Sequence, residues 1–273
     1  MKELTQHLNW EVQIEELALP GNRKTNRFAL TRSDNGECLS IRSDRYYPVF
    51  NKDLEDIRER IVSRNGFRFK GYQEFQNGKR ILAFYENPSE NLQICGQKVK
   101  DYLIIGNSHD TSSKLFVGTS NYMMRCENQF SEKIRAFERR HDQPFDIHKL
   151  QLEEILANYE SGRRALYRRM ERLQMVRSTD EVIKELVLQL MGSMERTDRL
   201  EDPLLMLRYD EKTLLLLECI HHEIGDLGPN LWAVFNGVTR YTSNHLKGKP
   251  GFGIVNGRGE QLNRGAMKFL NKL

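Results

Sequence analysis

Two periodicities divide the chain. From Arg27 to about Arg125 apolar residues alternate with polar ones, as in half-buried strands; beyond that they recur every three or four residues, as in helices. Arg27-Phe28-Ala29-Leu30-Thr31-Arg32 and Glu37-Cys38-Leu39-Ser40-Ile41-Arg42 flank Asp34-Asn35-Gly36, which predicts a hairpin with a type I′ turn. Phe67 to Phe75 and Arg80 to Tyr85 flank Asn77-Gly78 and predict a second one. Leu92 to Val99 reads as a further strand. Tyr102 to Ile105 is an apolar run bounded by Gly106, and Lys114 to Val117 follows as its neighbour. Between them stand seven polar residues, Asn107-Ser108-His109-Asp110-Thr111-Ser112-Ser113, whose side chains favour a turn.

The helical readings begin with Asn51, which can cap a helix carrying Leu54, Ile57 and Ile61. Asn128 to Arg140 reads as a basic helix with Ile134 and Phe137 inward, closed by Arg139-Arg140-His141. Leu152, Leu156, Tyr159, Leu166, Met170 and Leu173 form one face of a long helix; Arg163, Arg164, Arg168, Arg169 and Arg172 form the other. Ser178 to Glu181 reads as a capping box, and Asp202-Pro203 as a break. Thr213 to Ile220 is an apolar helix ending in His221-His222-Glu223. Gly225 to Pro229 is a loop, and Pro229 starts a helix from Trp232 to Asn244. Gln261 to Lys272 closes the chain as a short helix. Strands followed by helices predict an α+β fold, an antiparallel β-rich N-terminal half and a helical C-terminal half. The divisions expected are 1–130, 131–247 and a glycine-rich basic arm with a short helix over 248–273.

Charge changes this picture. The net +4 hides a segregation: residues 240–273 hold seven Lys or Arg against Glu260 alone, whereas 178–229 hold five basic and twelve acidic residues. The basic tail suits a polyanion, or docking on the acidic segment of the same or a neighbouring chain. Arg68, Lys70, Lys247, Lys249, Arg258, Arg264 and Lys268 are the candidate nucleic-acid contacts. Phe67, Phe69, Tyr72 and Phe75 beside Arg68 and Lys70 fit base stacking or cross-strand aromatic pairs facing a core. The arginine face of the long helix could track phosphates or be a solvated face paired with Glu160 and Glu171.

His109 beside Asp110 is a candidate for protonation chemistry. With Asn107, Ser112, Lys114 and Arg125 it forms a functional-loop candidate, expected to converge with Asn236 and Arg240 on a phosphate. His221-His222-Glu223 lacks the second His of a zinc-protease motif, and Gly248 to Gly259 matches neither phosphate-loop pattern. The four cysteines have no ligand spacing. No metal and no cofactor is expected. No apolar run reaches the ~20 residues of a membrane span, and the start is too polar for a signal peptide.

Asn107-Ser108-His109-Asp110-Thr111-Ser112-Ser113, then Arg125-Cys126-Glu127-Asn128, then Leu231 to Thr242 (L-W-A-V-F-N-G-V-T-R-Y-T) are three motifs in order. Together they resemble the phage/plasmid-like family catalogued as domain of unknown function nine hundred and thirty-two, over about Arg45 to Thr242. The chain departs at Thr111, where that family has Gly, and at Gln129-Phe130, where it has Thr-Leu. The resemblance implies a phage or mobile-element setting and no activity. Three functions stand as expectations. One is single-stranded-DNA binding for annealing or recombination, by a homo-oligomer in the host bacterial cytoplasm. A second is a phosphate-chemistry enzyme at His109-Asp110. The third is a counter-defence or host-takeover binding protein.

Overall fold

A computed structural model describes residues 8–21, 23–62, 65–87, 92–123, 129–130, 135–191, 211–246 and 257–273. The chain forms two compact units: Met1–Glu90 with Asp101–Ser120 and Lys133–Arg163, and Asn91–Lys100 with Asn121–Glu132 and Arg164–Leu273. The fold is α+β, as the order of periodicities predicts.

The first unit is built on two antiparallel sheets. Strands β1 (Val12–Leu19), β2 (Arg23–Arg32) and β3 (Cys38–Ser43) form a three-stranded meander. The larger sheet runs in the order β10 (Arg135–Arg139), β8 (Leu115–Met123), β7 (Gln97–Ser108), β5 (Arg80–Glu86), β4 (Arg68–Phe75). Short strands β6 (Leu92–Ile94) and β9 (Gln129–Phe130) belong to the second unit, where they pair with the ends of β7 and β8 that lie there, residues 97–99 and 121–122. Helix α1 (Asn51–Ile61) contributes Leu54, Ile57 and Ile61 to a core that also contains Trp10, Leu30, Leu39, Ile81, Tyr85, Leu103, Val117 and Tyr159. Burying such side chains stabilises by roughly 1.5–3 kcal/mol each.

The second unit contains helices α3 (Asp180–Met191), α4 (Glu211–Leu227), α5 (Leu231–Asn244) and α6 (Arg258–Leu270), together with the part of α2 (Leu152–Met175) from residue 164. Helix α5 is buried almost all round, and packs against α4 on one side and α6 on another. A Cβ on Gly237 would lie 2.3 Å from the Ile220 Cα, so only glycine allows this approach of α5 to α4. Likewise a Cβ on Gly106 would lie 2.4 Å from the Phe116 ring.

Several local expectations give way. The Asn35-Gly36 turn is not type I′: Gly36 alone has a positive φ, and Arg32 N bonds Glu37 O at 3.0 Å around a longer loop. Asn51 is the first helical residue, not the cap. Its amide donates to Trp10 O at 2.7 Å, and Asp53 accepts from Phe50 N at 2.7 Å. Leu92 to Val99 is a hairpin and not one strand. Cys95 (φ 49°) and Gly96 (φ 71°) supply the two left-handed residues that a tight hairpin turn requires.

Of the expected basic helix from Asn128 to Arg140, the described residues Gln129–Phe130 and Arg135–Arg139 are strand. Arg135 to Arg139 pairs with β8, because the partner edge of that sheet outweighs local helix preference. Helix α4 runs through His221-His222-Glu223 and Gly225 to Leu227, and α5 begins after an Asn230 cap and not at Pro229. The terminal helix starts at Arg258, three residues before the expected Gln261. Asp202-Pro203 lies outside the described residues. No described helix is long and apolar enough to cross a membrane.

Candidate functional site

In the first unit, β7 does not end at Gly106. It continues to Ser108, so Asn107, Ser108 and His109 are buried and only Asp110 to Ser112 reach the surface. Two devices close the loop. Ser108 Oγ donates to Ser113 O at 2.7 Å and accepts from Ser113 N at 2.9 Å. Asp110 Oδ1 accepts from Ser112 N at 2.9 Å, the side-chain turn that Asp favours. Thr111 between them has φ 61°, a left-handed conformation that a β-branched residue rarely adopts.

Two charged side chains of this segment already have partners. Asp110 Oδ2 accepts from Arg80 Nε at 3.1 Å, and Lys114 Nζ bonds Glu138 Oε2 at 2.9 Å. Burial acts to raise the Asp110 carboxyl, but hydrogen bonds from Ser112 and the Arg80 guanidinium outweigh it and hold it below the ordinary carboxylate value. His109 is fully buried, its ring edge-on to Trp10 at 6.0 Å between centroids, and neither ring nitrogen has a hydrogen-bond partner. Burial pushes its pKa down to about 3, nearby His141 adds to this, and Asp110 opposes it. The imidazole is therefore neutral across the physiological range.

His141 was read from sequence as a helix-terminal cation. It is instead buried and stacked on Tyr46 at 5.1 Å, with the Arg42 guanidinium 5.7 Å above the other ring of that stack. Burial, Arg139 and Arg42 lower its pKa; the Tyr47 and Ser113 carbonyls favour the charged form, though neither closes a hydrogen bond to a ring nitrogen. Asn107 donates to Val49 O at 3.2 Å. Arg135-Ala136-Phe137-Glu138-Arg139 does not alternate, so no local pattern marked the strand that brings His141 beside this loop.

The second unit holds Asn236 and Arg240, one turn apart on α5. Asn236 Nδ2 donates to Trp232 O at 3.0 Å, and Arg240 Nη1 donates to the fully buried Glu223 at 3.0 Å. Glu223 was not legible as a partner from sequence, because Arg240 stands 17 residues away on the next helix. Cys219 is buried nearby on α4, its thiol pushed up to about 11 by that burial. His109 belongs to the first unit and Asn236 to the second. Arg125 lies outside the described residues.

The candidate nucleic-acid contacts separate. In the first unit Arg68 is exposed, and Lys70 is held by Glu86 at 2.7 Å. The aromatic hairpin packs inward: Phe75 is buried, Phe67 meets Tyr159 and Phe69 meets Tyr85 edge-on, and Tyr72 Oη donates to Glu74. In the second unit Arg258, Arg264 and Lys268 are all exposed on α6. Arg264 lies 3.7 Å from Glu260, one turn back on the same helix. Lys247 and Lys249 lie outside the described residues.

The arginine face of α2 also divides. Arg163 is buried, 3.7 Å from Asp101 and 2.7 Å from Glu160, while Thr119 and Tyr159 donate to the same Asp101. Arg164, Arg168 and Arg172 are exposed. Among the described residues no group of three or more His, Cys, Asp or Glu could hold a metal ion.

No curated protein and no solved structure matches the chain. The three motifs lie within the stretch 38–265 matched by one family model, and the chain belongs to that family, described as Domain of unknown function (DUF932).

Proposed function

We propose that the protein binds nucleic acid through the outer face of α6, by phosphate contacts that do not depend on sequence. The observation that carries this is how the helix sorts its charges. Arg258, Arg264, Lys268 and the following Lys272 are exposed, while its single acid, Glu260, is buried on the face that packs inward. An exposed cationic row on a rigid helix matches a phosphate backbone, since guanidinium groups fork two phosphate oxygens. The finer parts of the proposal are single-strand binding for annealing or recombination, self-assembly, and a phage or mobile-element setting. The His109-Asp110 pair supports a phosphate-chemistry enzyme less well. Its imidazole is fully buried, its carboxylate faces Arg80, and Lys114 is held by Glu138.

The test is fluorescence anisotropy of a labelled 30-nucleotide oligonucleotide across a salt series, with wild type and with Arg258→Gln, Arg264→Gln and Lys268→Gln combined. Wild-type affinity should fall with salt, and the triple variant should lower the log–log slope by about 2, or roughly 0.7 for each lost phosphate contact. Equal slopes in the two proteins would reject α6 as the contact face.

A further inference from the structure

Helix α2 carries a second cationic row in the same unit. Arg164, Arg168 and Arg172 stand at intervals of four residues, hence about 6 Å apart along one side of the helix. The opposite side, Leu166, Met170 and Leu173, is buried, so the row is fixed in direction. The nearest carboxylate one turn back, Glu160, is engaged by Arg163. Among the described residues neither Arg164 nor Arg168 has an ion pair.

Two further observations give the row an orientation and an end. Arg172 Nη1 donates to Asn271 O at 3.1 Å, which joins the last turn of α2 to the C-terminal end of α6 beside Lys268 and Lys272. Met175, three residues beyond Arg172 and so on the same side, is 80% exposed, the most exposed large hydrophobic side chain among the described residues.

We infer that this row, ending in Met175, is the contact line for a single-stranded nucleic acid. The inference rests on the nucleic-acid reading above and deepens it by naming the residues that select a single strand. The arginines contact successive phosphates, and the Met175 thioether lies against the face of an unstacked base. A duplex keeps its base faces stacked inside and offers only groove edges; a single strand exposes them. A cationic row alone would serve either form, so Met175 is the residue that discriminates.

The experiment uses the full chain, a labelled 30-nucleotide oligothymidine and a labelled 30-base-pair duplex. Three variants are compared with wild type: Arg164→Gln, Arg168→Gln and Arg172→Gln combined; Met175→Ser; and the α6 triple variant. All the substituted side chains are exposed, and Gln retains helix preference, so circular dichroism should be unchanged. The α2 triple variant should lower the single-strand salt slope by about 2. Met175→Ser should weaken single-strand binding about three- to tenfold, with the salt slope and duplex affinity unchanged. If the α6 variant lowers the slope and the α2 variant does not, the inference is overturned while the nucleic-acid reading stands. Equal losses on both strand forms for Met175→Ser overturn the strand preference. If wild type binds neither probe, the nucleic-acid reading itself fails.

Discussion

Thr111 shows how one residue can carry a recorded cost. Its φ of 61° places a β-branched side chain in the left-handed region. Such a conformation costs a non-glycine residue roughly 1–2 kcal/mol, and the greater unfolded-state freedom of glycine offsets part of what would be recovered. Thr111→Gly should therefore stabilise the protein by about 0.5–1 kcal/mol, read as a rise in denaturant midpoint at unchanged m-value. A lower midpoint would mean that the Thr side chain makes a compensating contact. The same scale accounts for Asp110, whose carboxylate both closes the turn and holds Arg80.

At the scale of elements, the motif Leu231 to Thr242 is explained by packing. Eleven residues of α5 are buried, and Gly237 sits against the backbone of Ile220 on α4. Asn236 satisfies its amide within its own helix, and Arg240 neutralises Glu223 across the same helix pair. The motif thus builds a tight α4–α5 contact and a buried ion pair. Gly237→Ala should force the helices apart and destabilise by about 1–3 kcal/mol, measured by chemical denaturation. A change under about 0.5 kcal/mol would show that the helices slide at no cost. Ion-pair geometry makes the companion change more severe, because removing Arg240 would leave a buried charge on Glu223.

At the scale of the molecule, His109 couples stability to pH. It lies where the two sheets of the first unit meet. The hydroxyl of Ser40 on β3 donates to its carbonyl, and its amide donates to Lys79 O at 2.7 Å from the β4–β5 turn. Its folded pKa is depressed from 6.5 to about 3, so the unfolded chain binds the proton first. Stability from the neutral ring is fully present above pH 6.5 and is lost as pH falls from 6.5 towards 3, by up to about 1.4 kcal/mol per pH unit. The depressed His141 acts in the same direction. Thermal midpoints measured from pH 7 to 4 should drop steeply for wild type and less steeply for His109→Leu. Parallel curves would remove His109 from the acid response.

What the sequence determined by itself was local. The change of period, the hairpin at Asn77-Gly78, the long helix from Leu152 and the family motifs are all encoded within a few neighbouring residues, as alternation, turn chemistry or spacing. Tertiary structure decided everything that depends on partners distant in the chain. Arg135 to Arg139 became a strand because β8 offered unpaired backbone groups. Asn107 to His109 were buried because β7 runs two residues past Gly106 and leads His109 inward behind them. Arg163 joined a buried network with Asp101, while Arg164 and Arg168 stayed outside. Lys114 and Arg240, read from sequence as phosphate ligands, each pair with a carboxylate, Glu138 and Glu223. A residue's type fixes the charge it can offer. Only the fold fixes whether a carboxylate from elsewhere in the chain has already met it, because a contact across tens of residues leaves no pattern in the local sequence.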